Sequence, residues 1–157
     1  MERDCLLEDP LFFAVLEASG RASGLASYLR IAPRAGTVKI GHLHVAPRLS
    51  GTAAATEALG LMVGHVFALG DRRCAWKCDA PSAPSRRAAA RLGFTCEGTH
   101  RQATHDTGRN RDAWCAVLDR DWPAVKAARD AWLAPANVDA AGRYVRRLAE
   151  IRGALRR

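Results

Sequence analysis

The segment Arg48-Leu49-Ser50-Gly51-Thr52-Ala53-Ala54 combines small side chains, which let backbone N–H groups approach a ligand, with a helical pattern that begins at its end. A helix N-terminus offers unpaired N–H groups and the positive end of its dipole, so a loop of this kind suits a phosphate. No Gly-Lys-Ser/Thr follows and GxGxxG is missing, which excludes a Walker loop and a dinucleotide fingerprint. Acid–base chemistry has three candidates. His42 and His44 stand two residues apart in a strand pattern, so both project from one face, and imidazole titrates in the useful range. The same pair also reads as ordinary surface histidines. Ser85 stands at the start of a helix, where a hydroxyl serves as a cap as readily as a proton donor. The five cysteines are odd in number and form no CxxC pair; Cys74 and Cys78 flank Trp76 at strand spacing and read as small buried hydrophobes. No metal site is expected.

These residues need elements to hold them. Phe12 to Leu16 and Leu25 to Ile31 read as strands of a hairpin, and Thr37 to Val45 as a third strand. In that third strand Val38, Ile40, His42 and His44 share one face, with Lys39, Gly41, Leu43 and Val45 on the other. Leu59, Met62, Val63, Val66 and Phe67 recur at helical spacing, ended by Gly70. Cys74 to Cys78 is a strand, Ser85 to Leu92 a helix with Gly93 as its cap, and Phe94 to Thr99 and Ala113 to Leu118 an antiparallel pair joined through His105 to Arg111. Asp121-Trp122-Pro123 starts a helix. A last one over Asp139 to Leu155 puts Tyr144, Val145, Leu148, Ile151 and Leu155 on one stripe. The order predicts an α/β fold: a mixed, largely antiparallel sheet flanked by helices, with extra C-terminal helices.

At 157 residues, with 48% hydrophobic and 25% charged residues, the chain suits one globular domain. No apolar run is long enough for a membrane span, and Met1-Glu2-Arg3-Asp4 lacks a secretory pattern, so a cytoplasmic location is expected. The net charge of +8 allows a polyanionic partner. Arg143, Arg146, Arg147, Arg152, Arg156 and Arg157 would form its contact row, on nucleic acid or a membrane surface. Aromatic residues are not interleaved with them, which makes nucleic acid the weaker expectation.

Several motifs in register resemble the GNAT superfamily of N-acetyltransferases. Arg48-Leu49-Ser50-Gly51-Thr52-Ala53 fits its Arg/Gln-x-x-Gly-x-Gly/Ala motif, and Ala55-Thr56-Glu57-Ala58 continues it as in the ribosomal-protein-alanine acetyltransferase branch. Arg72 to Asp79, Ser85-Arg86-Arg87-Ala88-Ala89, Arg91-Leu92-Gly93-Phe94, Glu97-Gly98 and Gly108 to Asp112 follow in order. The resemblance implies acetyl-CoA as co-substrate, no metal, and direct transfer to an amine in a ternary complex. It implies that backbone N–H groups of residues 48–54 wrap the CoA pyrophosphate, with Ser82, Ser85 and Arg86 beside the cofactor and Leu43, His44 and Val45 pairing with the pantetheine. Ser85 becomes the acid, and His42 or His44 the base.

Departures from the family pattern are equally specific. Lys39 replaces an acidic residue, Ser82 an asparagine and Ala89 a tyrosine, and Arg111 to Trp114 is one residue short, which a bulge would have to absorb. The chain starts at the family's second strand, so an exposed edge and a homodimer are expected. Residues 1–133 are expected as the acetyltransferase domain, and 134–157 as a linker and basic amphipathic helix. A catalytically silent module of the same fold, acting as an interaction partner, is the alternative.

Overall fold

A computed structural model describes residues 9–101 and 111–155. Cys5, the segment Met1 to Glu8, Gly108-Arg109-Asn110 and the last two arginines lie outside the described residues.

The chain forms β1 (Leu11–Leu16), β2 (Ala22–Ala32), β3 (Thr37–Val45), α1 (Ala53–Ala68), β4 (Arg73–Asp79), α2 (Ala83–Arg91), β5 (Thr95–Arg101), β6 (Arg111–Leu118), α3 (Trp122–Leu133) and α4 (Leu148–Leu155). Six strands make one sheet in the order β1-β2-β3-β4-β6-β5. Among the described strands only β3 and β4 are parallel, because α1 carries the chain back between them; every other described pair is antiparallel. The mixed sheet and flanking helices match the expected fold class.

One face of the sheet is sealed. Val38, Ile40, Cys74, Trp76, Cys115 and Val117 alternate inward and bury against Leu59, Val63 and Val66 of α1, Ala89 of α2, and Trp122 and Val125 of α3. A second cluster docks α4 on α3 through Ala128, Trp132, Leu148 and Ile151. Gly93 shows why α2 must end on glycine: its φ is +97°, and a Cβ there would lie 2.6 Å from Val125 Cγ1.

Bulges decide what alternation alone does not. In β3, Leu25 faces His44 and Ser27 faces Gly41, so β3 carries an extra residue at this point. The bulge includes His42, whose φ is +49°. It reverses the facing of the strand beyond it: Leu43 joins the core, while His42 and His44 are exposed. The expected common face for Val38, Ile40, His42 and His44 is therefore corrected. A second bulge lies in β5 at Glu97, opposite Trp114 and Cys115 of β6, and Arg73 clamps that carboxylate at 2.7 and 2.5 Å. Cys74 and Trp76 are core residues as read, with burial pushing the Cys74 thiol up to about 12. Cys96, in contrast, is exposed.

The last helix begins nine residues later than expected. Asp139 accepts hydrogen bonds from the backbone N–H groups of Ala141 and Arg143, both at 2.9 Å, and Gly142 takes φ +76°. Asn137 holds Arg146 through both backbone groups. Side chains compete successfully with the helix over 138–147, so Tyr144 and Val145 lie outside α4. Arg143 pairs with Asp139 at 3.0 Å, and Arg143, Arg146 and Arg147 no longer share a helical face with Arg152.

Candidate active site

The turn between β3 and α1 spends part of its hydrogen-bonding capacity on itself. Leu49 N–H donates to the Ala46 carbonyl at 2.9 Å, Ser50 N–H to the same carbonyl at 3.0 Å, and Thr52 N–H to Leu49 at 3.2 Å. Thr52 caps α1: its hydroxyl donates to the Leu49 carbonyl at 2.7 Å and accepts from Ala55 N–H at 3.3 Å. The N–H groups of Gly51, Ala53 and Ala54 make no hydrogen bond to another described residue. Gly51 has φ +77° and open space where a Cβ would stand, so its backbone is bare to an approaching group.

Gly51 and Ala53 border a cavity of about 980 Å³, lined also by Thr52 and by Arg87, Arg91, Arg147 and Arg152. Trp132 and Tyr144 stack in its wall with ring centroids 4.4 Å apart, and Arg91 lies 4.8 Å over Trp132. Arg152 donates to the carbonyls of Ala90 and Arg91 at 2.8 and 3.3 Å, satisfying the end of α2 from α4. Sequence reasoning missed this assembly. The arginines come from segments 60 residues apart, and only the docking of α4 brings them together.

Arg48 lies elsewhere. Its guanidinium donates to Glu17 at 2.7 Å and to Ser23 at 2.5 Å, fastening the turn to the β1–β2 hairpin. Hydrogen bonds from Ser23, Arg48 and Arg21 hold the Glu17 carboxyl down to about 2. Leu49 is buried and Ser50 exposed.

The sheet splits next to this turn. β3 and β4 pair from Thr37/Arg73 to Ile40/Trp76 and then part, leaving residues 41–45 without a described strand partner on the side that faced β4. Ser85, on α2, sits at the split: its oxygen accepts from Trp76 Nε1 at 3.2 Å. It is also a hydrogen-bond partner of Cys78, whose thiol burial pushes up while this bond opposes the shift. Ser82 is the first flanking residue of α2 and makes no side-chain cap bond. Arg86 lines a separate cavity of about 320 Å³ with Cys96 and Cys115. On β3, His42 Nδ1 lies 2.8 Å from Ser27 Oγ and its ring packs on Phe12, while His44 projects outward nearby.

The turn leaves backbone amides unclaimed next to a split between parallel strands, and comparison with known proteins decides the family. The model of the acetyltransferase (GNAT) family matches residues 1–94. The chain belongs to this family. A GCN5-related N-acetyltransferase from Brucella melitensis is 46% identical, with a TM-score of 0.92 over 97% of this chain and 70% of that one. A probable acetyltransferase of the GNAT family from Chromobacterium violaceum is 38% identical, with a TM-score of 0.73 over 78% of this chain and 63% of that one. A mutant spermidine N-acetyltransferase, SpeG from Vibrio cholerae, shares the fold at 15% identity, a TM-score of 0.66 and 77% and 72% coverage of the two chains. No curated protein matches. Among the described residues no group of His, Cys, Asp or Glu could hold a metal, and no helix is long and apolar enough to cross a membrane.

Proposed function

We propose that the protein transfers the acetyl group of acetyl-CoA to a primary amine by direct attack in a ternary complex. The observation that carries this reading is the pair of unclaimed amides at Gly51 and Ala53, on residues that line a cavity walled by arginines, with that of Ala54 next in the chain. A diphosphate at these amides would gain the α1 dipole and short charge-assisted hydrogen bonds. Arg87, Arg91, Arg147 and Arg152 surround the same cavity and supply countercharge for further phosphate. Arg48, engaged by Glu17 and Ser23, fixes the turn's position. The cavity wall of Trp132 and Tyr144 suits a flat, aromatic end of the cofactor.

The bound cofactor supplies an activated acetyl thioester. Everything else falls to the chain. The free edge of β3 at Leu43, His44 and Val45 offers backbone donors and acceptors to an extended arm, as an added strand would use them. Ser85 accepts from Trp76 and shares its hydroxyl hydrogen with Cys78, so as the acid for a departing thiolate it would turn that hydrogen from one sulfur to another. An amine that is mostly ammonium at neutral pH must first lose a proton, and His44 and His42 are the imidazoles nearest the split strand. His42 is tethered through Nδ1, which leaves Nε2 for the exchange.

Calorimetry with acetyl-CoA tests the assignment: saturable binding below millimolar ligand is expected, followed by thiol release with at least one amine. Absence of binding would overturn it, and binding without thiol release across an amine panel would favour the silent module. The outer edge of β1 pairs with no other described strand and exposes Leu11, Phe13 and Leu16, so a second copy is the proposed cover. Sedimentation is expected to show concentration-dependent association.

A further inference from the structure

We propose that the sheet face opposite the helices holds the carboxylate of the acceptor amine between Arg30 and Lys39, beside the edge of the Trp114 indole. This rests on the acetyltransferase reading for its role, though not for its existence. The helices and the arginine-walled cavity occupy one side of the sheet, and the split between β3 and β4 opens through it. An acetyl group carried into that split from the helix side meets its acceptor from the other side.

On that other side, Lys39 pairs with Ala75 and Ala75 with Ala116, so two small residues make a floor next to the lysine. Arg30 lies 5.3 Å from the centroid of Trp114, and Lys39 5.9 Å from the same ring. Two cations thus share one indole, and neither has an ion-pair partner among the described residues. The nearby carboxylates are occupied: Lys77 pairs with Asp112 at 2.9 Å, and Asp9 accepts the backbone N–H groups of Arg30 and Ile31, both at 3.0 Å. The indole N–H of Trp114 is buried without a partner, a donor in want of an acceptor.

The cost of this arrangement points the same way. Burial, then the charges of Arg30 and Lys77, pull the Lys39 ammonium down to about 8, against opposing effects of Asp112 and Asp9. Arg30 holds a left-handed backbone, φ +51°, where no glycine relieves it, and Asp9 fixes that turn in place. A fold that keeps two like charges together, one on a strained residue, is stabilised when an anion binds between them. A polyamine would instead meet like charge. Lys39 precedes the start of the split, at Gly41, by two residues, roughly 7 Å of strand. That span fits an amine only a few bonds from its carboxylate, the chemistry of a free amino acid.

Two arms test this. Thiol release is measured with γ-aminobutyrate against n-butylamine and with L-leucine against isopentylamine. The carboxylate member of each pair is expected to have a kcat/KM at least about tenfold higher, mainly through KM. Lys39→Met and Arg30→Gly should each shrink that ratio toward one. Equal efficiency within both pairs, or a ratio unchanged in both variants, would overturn the proposal. The second arm needs no transfer: sodium γ-aminobutyrate should change tryptophan fluorescence saturably, n-butylammonium chloride should not, and Trp114→Phe should abolish the change. No saturable change in the unaltered protein overturns the site whether or not acetyl-CoA binds; loss of acetyl-CoA binding alone overturns only the enzymatic reading.

Discussion

On one side of the sheet Val38, Ile40, Trp76, Cys115 and Val117 disappear beneath α1, α2 and α3; on the other, the same strands present Lys39, Lys77 and Trp114, with the described helices all packed elsewhere. The first side is a close-packed interior that happens to end in a row of unclaimed amides. The second is a charged surface that is costly to keep and open to adjustment. The comparison teaches where each kind of change should be felt. Substitutions on the helix side should alter stability or cofactor affinity, and those on the open side should alter acceptor preference while leaving the fold intact or firmer.

The largest effect is expected at Gly93→Ala. The added methyl must take φ +97° and stand 2.6 Å from Val125 Cγ1, so a loss of about 3 kcal/mol is expected in urea unfolding. A loss below about 1 kcal/mol would mean that the helix side yields, and the contrast would fail. Next is Ala54→Glu. A carboxylate in the first turn of α1 favours the helix by a few tenths of a kcal/mol, yet it repels a diphosphate at the same amides. Calorimetry should show acetyl-CoA binding weakened by about thirtyfold or more, roughly 2 kcal/mol, with an unchanged or higher unfolding midpoint.

Lys39→Met tests the open side with the opposite sign. The folded pKa, about 8, lies below the ordinary lysine value, so the unfolded chain binds the proton more tightly and the native lysine destabilises below that pH. The variant should gain about 1 kcal/mol at pH 7, well under the full shift because the ammonium keeps solvent contact, and the gain should fade above about pH 10. The smallest effect is Glu17→Gln. The carboxyl is held at about 2, below its unfolded value, so its contribution is present above about pH 5 and is lost as the pH falls through 2. The variant should lack that part of the acid sensitivity in urea midpoints taken from pH 6 to pH 2.

Much of the frame was legible in the order of residues. The hairpin, the third strand, the capped helix after Thr52 and the glycine at 93 each follow from local rules: alternation, helical spacing, a hydroxyl cap and a residue that tolerates positive φ. The places where local rules misled share a cause. His42 and His44 left the face shared by Val38 and Ile40 because a bulge is decided by the neighbouring strand, and nothing at His42 announces it. The apolar stripe from Tyr144 to Leu155 suggested a helix, but Asp139, Gly142 and Asn137 claim the backbone first; those three turn-forming residues were the signal that went unweighed. Arg48 is a phosphate candidate in sequence and a strut in the fold, since Glu17 and Ser23 reach it from a hairpin 25 or more residues away.

What the sequence by itself determined is the set of elements and the turn at 48–54, because these depend on backbone preference and on side chains within a few positions of each other. What only the tertiary structure decided is which charges meet. Arg87 and Arg91 face Arg147 and Arg152 across one cavity, and Arg30 and Lys39 share Trp114, because strand pairing and helix docking place them there. Charge acts through space and falls with distance, so its effect is fixed only once the chain has folded.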